Sequence, residues 1–368
     1  MLLLEAERDT LLFPLQTVTG VVEKRHTLPI LSNVLIEKNA GVLVMTATDL
    51  EIQIRTSTQA SATEDSFAIT VSAKKLLDIC RALPDKADLR LEVNEGQIQI
   101  KAGKSRFNLQ TLPAADFPVI ESSGETESRA SLPQKTLKHL ISRVQYAMAQ
   151  QDIRYYLNGM LLVLNGKKIM VIATDGHRLS FASAEMEQES PPQEIIVPRK
   201  TVQELGKQLA DSDDQIHIEV RKNQVAFSFA RIELVSKVIE GKFPDYNRVI
   251  PNNHTNVLKV SRVALLQALQ RVAILSNEKF RGVRLVLNPN ELRIICNNNE
   301  QEEAQEELEV DYQGAAIDIG FNVSYLLDAL NNLSCDAVQC LFGDANSSML
   351  LVQPEDASFK YVVMPMRI

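Results

Sequence analysis

Residues 42–56 read VLVMTATDLEIQIRT, and residues 168–183 read KIMVIATDGHRLSFAS. Each stretch consists of two strand-like runs, rich in apolar and β-branched residues, on either side of a Thr-Asp pair. Residues 291–310 repeat the pattern with two asparagines in place of that pair. The two Thr-Asp pairs are 126 residues apart and the asparagines follow after 124 more, so the chain contains an internal repeat.

A predicted helix precedes each of these stretches, and a second helix follows it. Apolar residues at three- and four-residue intervals indicate the helices, as in Leu137, Leu140, Ile141 and Val144. Further strand-like runs come after each second helix, so every repeat contains two similar halves. The predicted helices cover residues 7–22, 73–83, 134–149, 199–209, 261–272 and 323–333.

The repeat divides the 368-residue chain into three predicted domains of α+β class, at residues 1–127, 128–254 and 255–368. A repeat of this length is too long for a solenoid, whose units run to about 45 residues. Strands at the domain edges need pairing partners, and closing an arc of domains would provide them. The sequence therefore favours a curved or closed assembly.

The formal net charge of −8 argues against a simple nucleic-acid-binding protein, which should present a basic surface. The six predicted helices nevertheless carry a formal charge of +7, which leaves −15 for the rest of the chain. Helices that share one surface would form a positive lining that attracts phosphates of any sequence. The alternative is that Lys and Arg are simply good helix formers, but Glu is equally good and is scarce here.

Composition also excludes several classes of protein. No apolar run reaches the length of about 18 residues that a membrane span requires, and the amino terminus lacks the features of a signal peptide. Cys80, Cys296, Cys335 and Cys340 are scattered and have no histidine at metal-ligand spacing. We therefore expect a cytoplasmic protein with no metal, no disulfide and no cofactor.

An enzyme is the main alternative, because Asp175 and His177 would share one face of a strand as an acid–base pair. The equivalent residues Asp49 and Asn299 have no matching histidine, and the sequence contains no nucleophile, phosphate-loop or metalloprotease motif. We predict no catalytic residues. A second alternative is a peptide-binding scaffold that does not contact DNA, and the basic helices argue against it.

Six strings along the whole chain resemble the β sliding clamps of bacterial DNA polymerase III, in their gammaproteobacterial form. They are HTLPILSN (26–33), SRFNLQTLPAADFP (105–118), QDIRYYLNGM (151–160), ATDGHRL (173–179), AILSNEKFRGVRL (273–285) and YVVMPMRI (361–368). The resemblance implies three tandem DNA-clamp domains, each with two helices and two antiparallel sheets. It implies a head-to-tail homodimer that forms a six-domain ring around double-stranded DNA. The implied partners are the clamp loader, DNA polymerases and repair proteins with clamp-binding linear motifs.

The resemblance also implies three sets of site residues. The DNA-contacting set is Arg25, Lys74, Arg81, Gln151, Tyr155, Tyr156 and Lys200. The dimer-interface set is Lys75, Lys104, Arg106, Phe107, Leu109, Ile274, Leu275, Glu300, Glu302 and Glu303. The peptide-pocket set is Leu157, Thr174, Gly176, His177, Arg178, Leu179, Pro244, Arg248, Val249, Phe280, Asn322, Tyr325, Asn346, Ser348, Val362, Val363, Met364, Pro365, Met366 and Arg367.

Two positions depart from the family pattern. Asn346 stands where relatives often have an apolar residue, so one pocket wall is expected to be more polar. Lys74 stands where relatives often have arginine, which keeps the charge but loses a bidentate phosphate contact. Of the adjacent Tyr155 and Tyr156, one can pack in the core, and the sequence leaves open which one contacts DNA.

Overall fold

Helices form at all six predicted places. The computed structural model describes residues 2–23, 28–60, 66–94, 96–121, 124–354 and 356–367. Its α-helices within these ranges are α1 (Arg8–Val18), α2 (Ala73–Ala82), α3 (Gln134–Val144), α4 (Arg199–Gln208), α5 (Tyr246–Val249), α6 (Arg262–Val272) and α7 (Val323–Asn331). None of them has the length and apolar content that a membrane span requires. The predicted DNA-contacting residue Arg25 lies outside the described residues.

The helix ends differ from the predicted ones for a local reason. α1, α3 and α6 each continue into a single 3₁₀ turn, at Thr19–Val21, Gln145–Ala147 and Ala273–Leu275. Such tightened last turns are common at helix ends and keep the apolar spacing, so the predicted helices at 7–22 and 134–149 extend beyond α1 and α3, whereas α6 ends at Val272 as predicted. The single-turn α5 was not predicted, because four residues are too few to show a period. The Asp245 side chain caps it by accepting from the amide of Asn247.

Twenty-two strands lie in the described residues, and their ladders are antiparallel. They are β1 (Leu2–Glu7), β2 (Asn33–Asn39), β3 (Val42–Thr48), β4 (Ile52–Gln59), β5 (Phe67–Ser72), β6 (Asp88–Asn94), β7 (Gln97–Ala102), β8 (Ser105–Leu112), β9 (Thr126–Pro133), β10 (Gly159–Thr174), β11 (Arg178–Pro198), β12 (Gln215–Arg221), β13 (Gln224–Phe229), β14 (Ile232–Lys237), β15 (Asn256–Ser261), β16 (Gly282–Asn288), β17 (Glu291–Asn297), β18 (Glu303–Glu309), β19 (Ile317–Asn322), β20 (Ala337–Phe342), β21 (Met349–Gln353) and β22 (Asp356–Val363).

The chain divides into two compact units, each with its own sheets. The first unit comprises Met1–Lys135 and Gln203–Val238, and the second comprises Thr136–Val202 and Ile239–Ile368. A 12-stranded sheet in the first unit has the order β1-β6-β7-β8-β5-β2-β3-β4-β14-β13-β12-β9. The second unit contains a six-stranded sheet, β10-β11-β22-β21-β20-β15, and a four-stranded sheet, β18-β17-β16-β19.

The internal repeat appears in these sheets as four-strand modules. The order β5-β2-β3-β4 in the first repeat matches β19-β16-β17-β18 in the third. In the second repeat, residues 159–164 of β10 pair with residues 193–198 of β11, and residues 168–174 pair with residues 179–185. The other modules are β1-β6-β7-β8, β9-β12-β13-β14 and β15-β20-β21-β22. Each predicted domain thus has two strand modules and two of the longer helices.

Modules from neighbouring predicted domains join edge to edge. β4 pairs with β14, for example at Ile54 and Leu234, and β11 pairs with β22, for example at Ser180 and Tyr361. An unpaired strand edge leaves backbone donors and acceptors open, and a neighbouring module satisfies them. The sheets therefore run through more than one predicted domain, and the strands of the second predicted domain are divided between the two compact units.

Candidate peptide-binding pocket

The Thr174-Asp175 pair forms the turn between β10 and β11. The Thr174 hydroxyl donates to the carbonyl oxygen of Arg178 over 2.6 Å and accepts from the amide of Gly176 over 3.1 Å. Asp175 Oδ1 accepts from the amides of His177 and Arg178 over 2.9 and 3.0 Å. These bonds satisfy backbone groups that a tight turn leaves without strand partners.

Thr48 and Asp49 make the same four hydrogen bonds to the backbone of residues 50–52, over distances of 2.8–3.0 Å. In the third repeat, Asn298 Oδ1 accepts from the amides of residues 300 and 302 over 2.9 and 3.0 Å. The Thr-Asp pair therefore marks the same turn in the first two repeats, and the third repeat has a related turn in which the first asparagine accepts both bonds. The turn explains why an aspartate stands at position 175. An acid–base pair with His177 is not needed to explain it.

The Arg178 side chain contacts several other residues of the same chain. Only 9% of its side chain is exposed, and its guanidinium contacts Asp175 at 3.1 Å and Asp328 at 2.6 Å. A third N–H group donates to the carbonyl oxygen of Tyr146, and the guanidinium lies 4.4 Å from the ring centroid of Tyr325. Burial by itself lowers the pKa of Arg178, but interactions with Tyr361 and Asp328 hold the pKa above its ordinary value. Arg178 therefore stays charged and shapes the turn.

A cavity of about 110 Å³ lies beside this turn, in the second compact unit. Ten of its twelve lining residues belong to the predicted peptide pocket. The lining consists of Arg154, Tyr156, Leu157, Thr174, Gly176, His177, Arg178, Leu179, Pro244, Val249, Val362 and Met364. The structure thus brings together residues from four separate segments of the sequence.

The floor of this pocket is continuous with the hydrophobic core. Leu179 and Val362 are buried core residues, and Val249 and Tyr156 pack against the same cluster. Such a floor is held in place by dense packing and accepts an apolar side chain of a ligand. Met364, which is 45% exposed, lies at the pocket, and its flexible thioether can adapt to different side chains.

Arg154 and Tyr156 line the pocket, although Arg154 was not predicted for any site and Tyr156 was predicted to contact DNA. The Arg154 guanidinium lies about 3.0 Å from the place that a Cβ on Gly176 would occupy. Gly176 has a φ of +90°, which favours glycine, although Leu50 adopts a φ of +78° at the equivalent position of the first repeat. Arg154 lowers the pKa of its ion-pair partner Asp152 to about 2 through a side-chain hydrogen bond, which keeps the pair charged at the pocket edge.

The other ten predicted pocket residues do not line this cavity, and their role in an extended site stays a prediction. Asn322 caps α7, and the amide of Met366 donates to the carbonyl oxygen of Gly320 over 2.9 Å. Arg248 has an 87% exposed side chain paired with Asp245. The full set is Arg248, Phe280, Asn322, Tyr325, Asn346, Ser348, Val363, Pro365, Met366 and Arg367.

Replacing Asp175 by alanine is expected to lower the free energy of unfolding by about 1–3 kcal/mol, because two turn amides and Arg178 lose an acceptor. It should also weaken binding of a clamp-binding peptide, since Gly176 and His177 line the pocket. The matched control is Asp49→Ala, which removes the same turn bonds in a repeat that gives the pocket no residue. Urea unfolding and peptide titration separate the two effects. Equal loss of peptide affinity in both variants would contradict this assignment.

The predicted DNA-contacting residues occupy different environments. Lys74 and Arg81 are exposed on α2 and line a cleft of about 740 Å³ in the first unit, together with Lys207 of α4. Tyr155 is 59% exposed, whereas Tyr156 is partly buried and packs against the core of the second unit, so Tyr156 is the more buried of the two. Gln151 is exposed with a φ of +55°, and Lys200 lies in the first turn of α4.

Some of the positive charge on the helices is neutralised by ion pairs that the sequence does not reveal. Several of their cations pair with nearby carboxylates: Lys135 with Asp213 at 2.7 Å, Arg143 with Asp356 at 3.2 Å, and Arg271 with Glu306 at 2.7 Å. Arg143 is also buried. The formal charge of +7 therefore overstates the unpaired positive charge that these helices present. Lys74, Lys75 and Arg81, which are exposed on α2, remain the strongest basic group among the predicted residues.

No group of three His, Cys, Asp or Glu side chains in the described part of the chain could hold a metal ion. Cys80, Cys296 and Cys340 are buried free thiols, and burial raises the pKa of Cys80 to about 11 and of Cys340 to about 12. These cysteines are core residues.

Three family models match the chain in order along the sequence. They describe the N-terminal, central and C-terminal domains of the DNA polymerase III beta subunit, over residues 2–121, 131–245 and 247–367. The chain belongs to the DNA polymerase III beta subunit family. The beta sliding clamp of Pseudomonas putida is 46% identical over 364 residues, which cover 98% of this chain and 99% of that protein.

Solved sliding clamps have the same fold. The DNA polymerase sliding clamp of Pseudomonas aeruginosa, crystallised with a ligand, has a TM-score of 0.96 and 44% identity, with 100% of both chains covered. A second crystal structure of a sliding clamp from that organism, bound to griselimycin, has a TM-score of 0.95 at 44% identity, again with 100% of both chains covered. The predicted family resemblance is therefore confirmed.

Proposed function

We propose that the chain is a DNA sliding clamp and processivity factor that encircles duplex DNA without sequence specificity and catalyses no reaction. The observation that carries the proposal is a strand pairing that recurs along the chain. β4 pairs with β14, and the equivalent strands one repeat later, β11 and β22, pair in the same way. The next pairing in this series would join β18 to a strand equivalent to β14, which is β8.

Both strands of that next pairing have an open edge within the described residues. β18 is the last strand of its sheet and pairs with β17 alone. β8 pairs with β7 at residues 105–110 and with β5 only at Thr111 and Leu112, so residues 105–110 keep one open edge. Because one edge lies at each end of the repeat series, a second copy of the chain can supply both partners in a head-to-tail contact.

Charge and apolar surface favour the same contact. Lys104 and Arg106 are exposed at β8, while Glu303 is exposed on β18 and Glu300 and Glu302 are exposed just before it. Ile274 has 78% of its surface exposed, although it is a large apolar residue. Opposite charges steer such surfaces together, and burial of the apolar side chains supplies most of the stability. The other members of the proposed interface are Lys75, Phe107, Leu109 and Leu275.

Two copies joined in this way would form the six-domain ring that the family implies. The exposed cations of α2 would face the phosphate backbone, which binds them regardless of base sequence. The pocket at Leu179 and Val362 would hold apolar side chains of linear motifs from DNA polymerases, the clamp loader and repair proteins. This function places the protein in the cytoplasm with the chromosome.

A primer-extension assay with a DNA polymerase III core and a clamp loader tests the proposal. On a long circular single-stranded template, adding this chain should lengthen the products made in a single binding event by at least about tenfold. The physical reason is effective concentration, because a tethered polymerase rebinds its primer faster than it diffuses away. Product lengths that do not depend on the chain would refute the proposed function.

A further inference from the structure

One face of the 12-stranded sheet carries a groove of about 480 Å³. The groove crosses the place where β4 joins β14. Directly opposed residues run across it from strand to strand: Arg55 opposite Glu233, Glu233 opposite Ser228, and Ser228 opposite His217. Opposed residues in an antiparallel ladder point to the same side, so these side chains share one face.

That face is the one away from helix α1. Ile52 and Ile54 are buried on β4, and α1 packs against this strand. Arg55 alternates with them and is exposed, so it lies on the opposite face. The groove is therefore separate from the helix surface proposed to contact DNA, and it shares no residue with the peptide pocket.

The shape of the groove follows from side-chain size. Ser57, Ser228 and Ala230 are small, whereas Arg55, Arg231 and His217 are long, and all of them line the groove. Ala230 has a φ of +48° in the tight turn between β13 and β14, which carries Arg231. The small residues lie beneath the long ones, so the base of the groove carries the hydroxyl groups of Ser57 and Ser228.

Arginine outnumbers acidic side chains in the groove lining, although the whole chain has a net charge of −8. Arg55 and Arg231 are both exposed, and neither forms an ion pair within the described part of the chain. Glu233 is the single carboxylate in the lining. His217 adds an imidazole whose Nδ1 lies 3.2 Å from the Ser131 hydroxyl, which leaves Nε2 available to a ligand.

We propose that this groove binds a small phosphate-bearing anion. The guanidinium groups of Arg55 and Arg231 can each bind phosphate oxygens through paired N–H donors. The hydroxyls of Ser57 and Ser228 are further donors. The volume falls within the range of about 300–1,000 Å³ that small-molecule sites occupy. Backbone groups beneath the groove are already paired in the sheet, so recognition rests on side chains rather than on an added strand.

Isothermal titration with inorganic pyrophosphate tests the proposal on the full-length protein. The double variant Arg55→Ala/Arg231→Ala should bind at least tenfold more weakly than the unaltered chain. Ser228→Leu should weaken binding to a similar degree, because the larger leucine side chain fills the groove without changing its charge. The matched control is Arg90→Ala, which removes an exposed arginine from another part of the same sheet. This control should bind pyrophosphate as the unaltered chain does.

Citrate provides a second arm, because it carries several carboxylates and no phosphate. Saturable pyrophosphate binding that is weakened in both groove variants, with weaker citrate binding, supports the proposal. Three results would each overturn it: no saturation at about 1 mM pyrophosphate, where binding is already weak, equal affinity in the groove variants and the control, or citrate binding as tight as pyrophosphate. Circular dichroism of each variant confirms that the fold is retained.

Discussion

Deleting residues 364–368 is expected to abolish binding of clamp-binding peptides while the dimer stays intact. Met364 lines the pocket, and its amide donates to the carbonyl oxygen of His177 over 2.9 Å. The deletion removes the pocket wall formed by Met364 and exposes the buried Val362 at the pocket floor to water. Losing a central apolar contact of a binding site costs about 2–4 kcal/mol, so affinity should fall by at least about 30-fold. Fluorescence anisotropy of a labelled peptide measures the loss.

Lys168→Ala is the control for this deletion. Lys168 is an exposed cation on β10 that neither lines the cavity nor belongs to the predicted pocket set, so its replacement should change affinity by less than about threefold. Equilibrium sedimentation checks that both variants remain dimers. If the truncated chain binds the peptide as tightly as the full chain, the pocket has been placed wrongly.

Replacing Ile274 by aspartate is expected to convert the dimer into monomers. Ile274 is 78% exposed in the isolated chain, so the fold tolerates a charge there. In the proposed interface, however, the aspartate would be buried beside Glu300 and Glu302, and an unpaired buried charge is costly. We expect the dimer dissociation constant to rise by at least about 100-fold, which corresponds to about 2.7 kcal/mol. Sedimentation velocity at micromolar concentration measures the change.

Val263→Asp is a matched control, because Val263 is also a large apolar residue, 43% exposed, but on α6 and outside the proposed interface. It should leave the dimer unchanged. Dissociation of both variants to the same extent would show that the charge acts through general destabilisation rather than through the interface. A dimeric Ile274→Asp variant would place the interface elsewhere.

The repeat made much of the fold predictable. Apolar spacing located all six of the longer helices, and the Thr-Asp pairs marked turns that form with the same hydrogen bonds at Thr48 and Thr174. Such local signals depend on backbone geometry within a few residues, which a sequence contains directly. The pairings of β4 with β14 and of β11 with β22 depend on distant strands, and no local pattern specifies them.

The site was less predictable for the same reason. Tyr155 and Tyr156 are neighbours in a 3₁₀ turn, and only the fold determines that Tyr156 packs against the core. Arg154 stands in the quoted string QDIRYYLNGM, but its place beside Gly176 depends on the approach of two separate loops. The charge of the helices failed as a direct measure of a basic surface, because partners such as Asp213 and Asp356 come from remote segments.

Retention on circular and linear DNA tests the central claim most directly. After loading by a clamp loader onto nicked circular duplex DNA, the protein should stay bound through gel filtration at moderate salt. A single cut in the same DNA should release the protein within minutes, because a ring that encircles DNA can slide off a free end. The Ile274→Asp variant should be lost from both forms. Equal retention on circular and linear DNA would contradict encirclement and show that the chain binds DNA by surface charge alone.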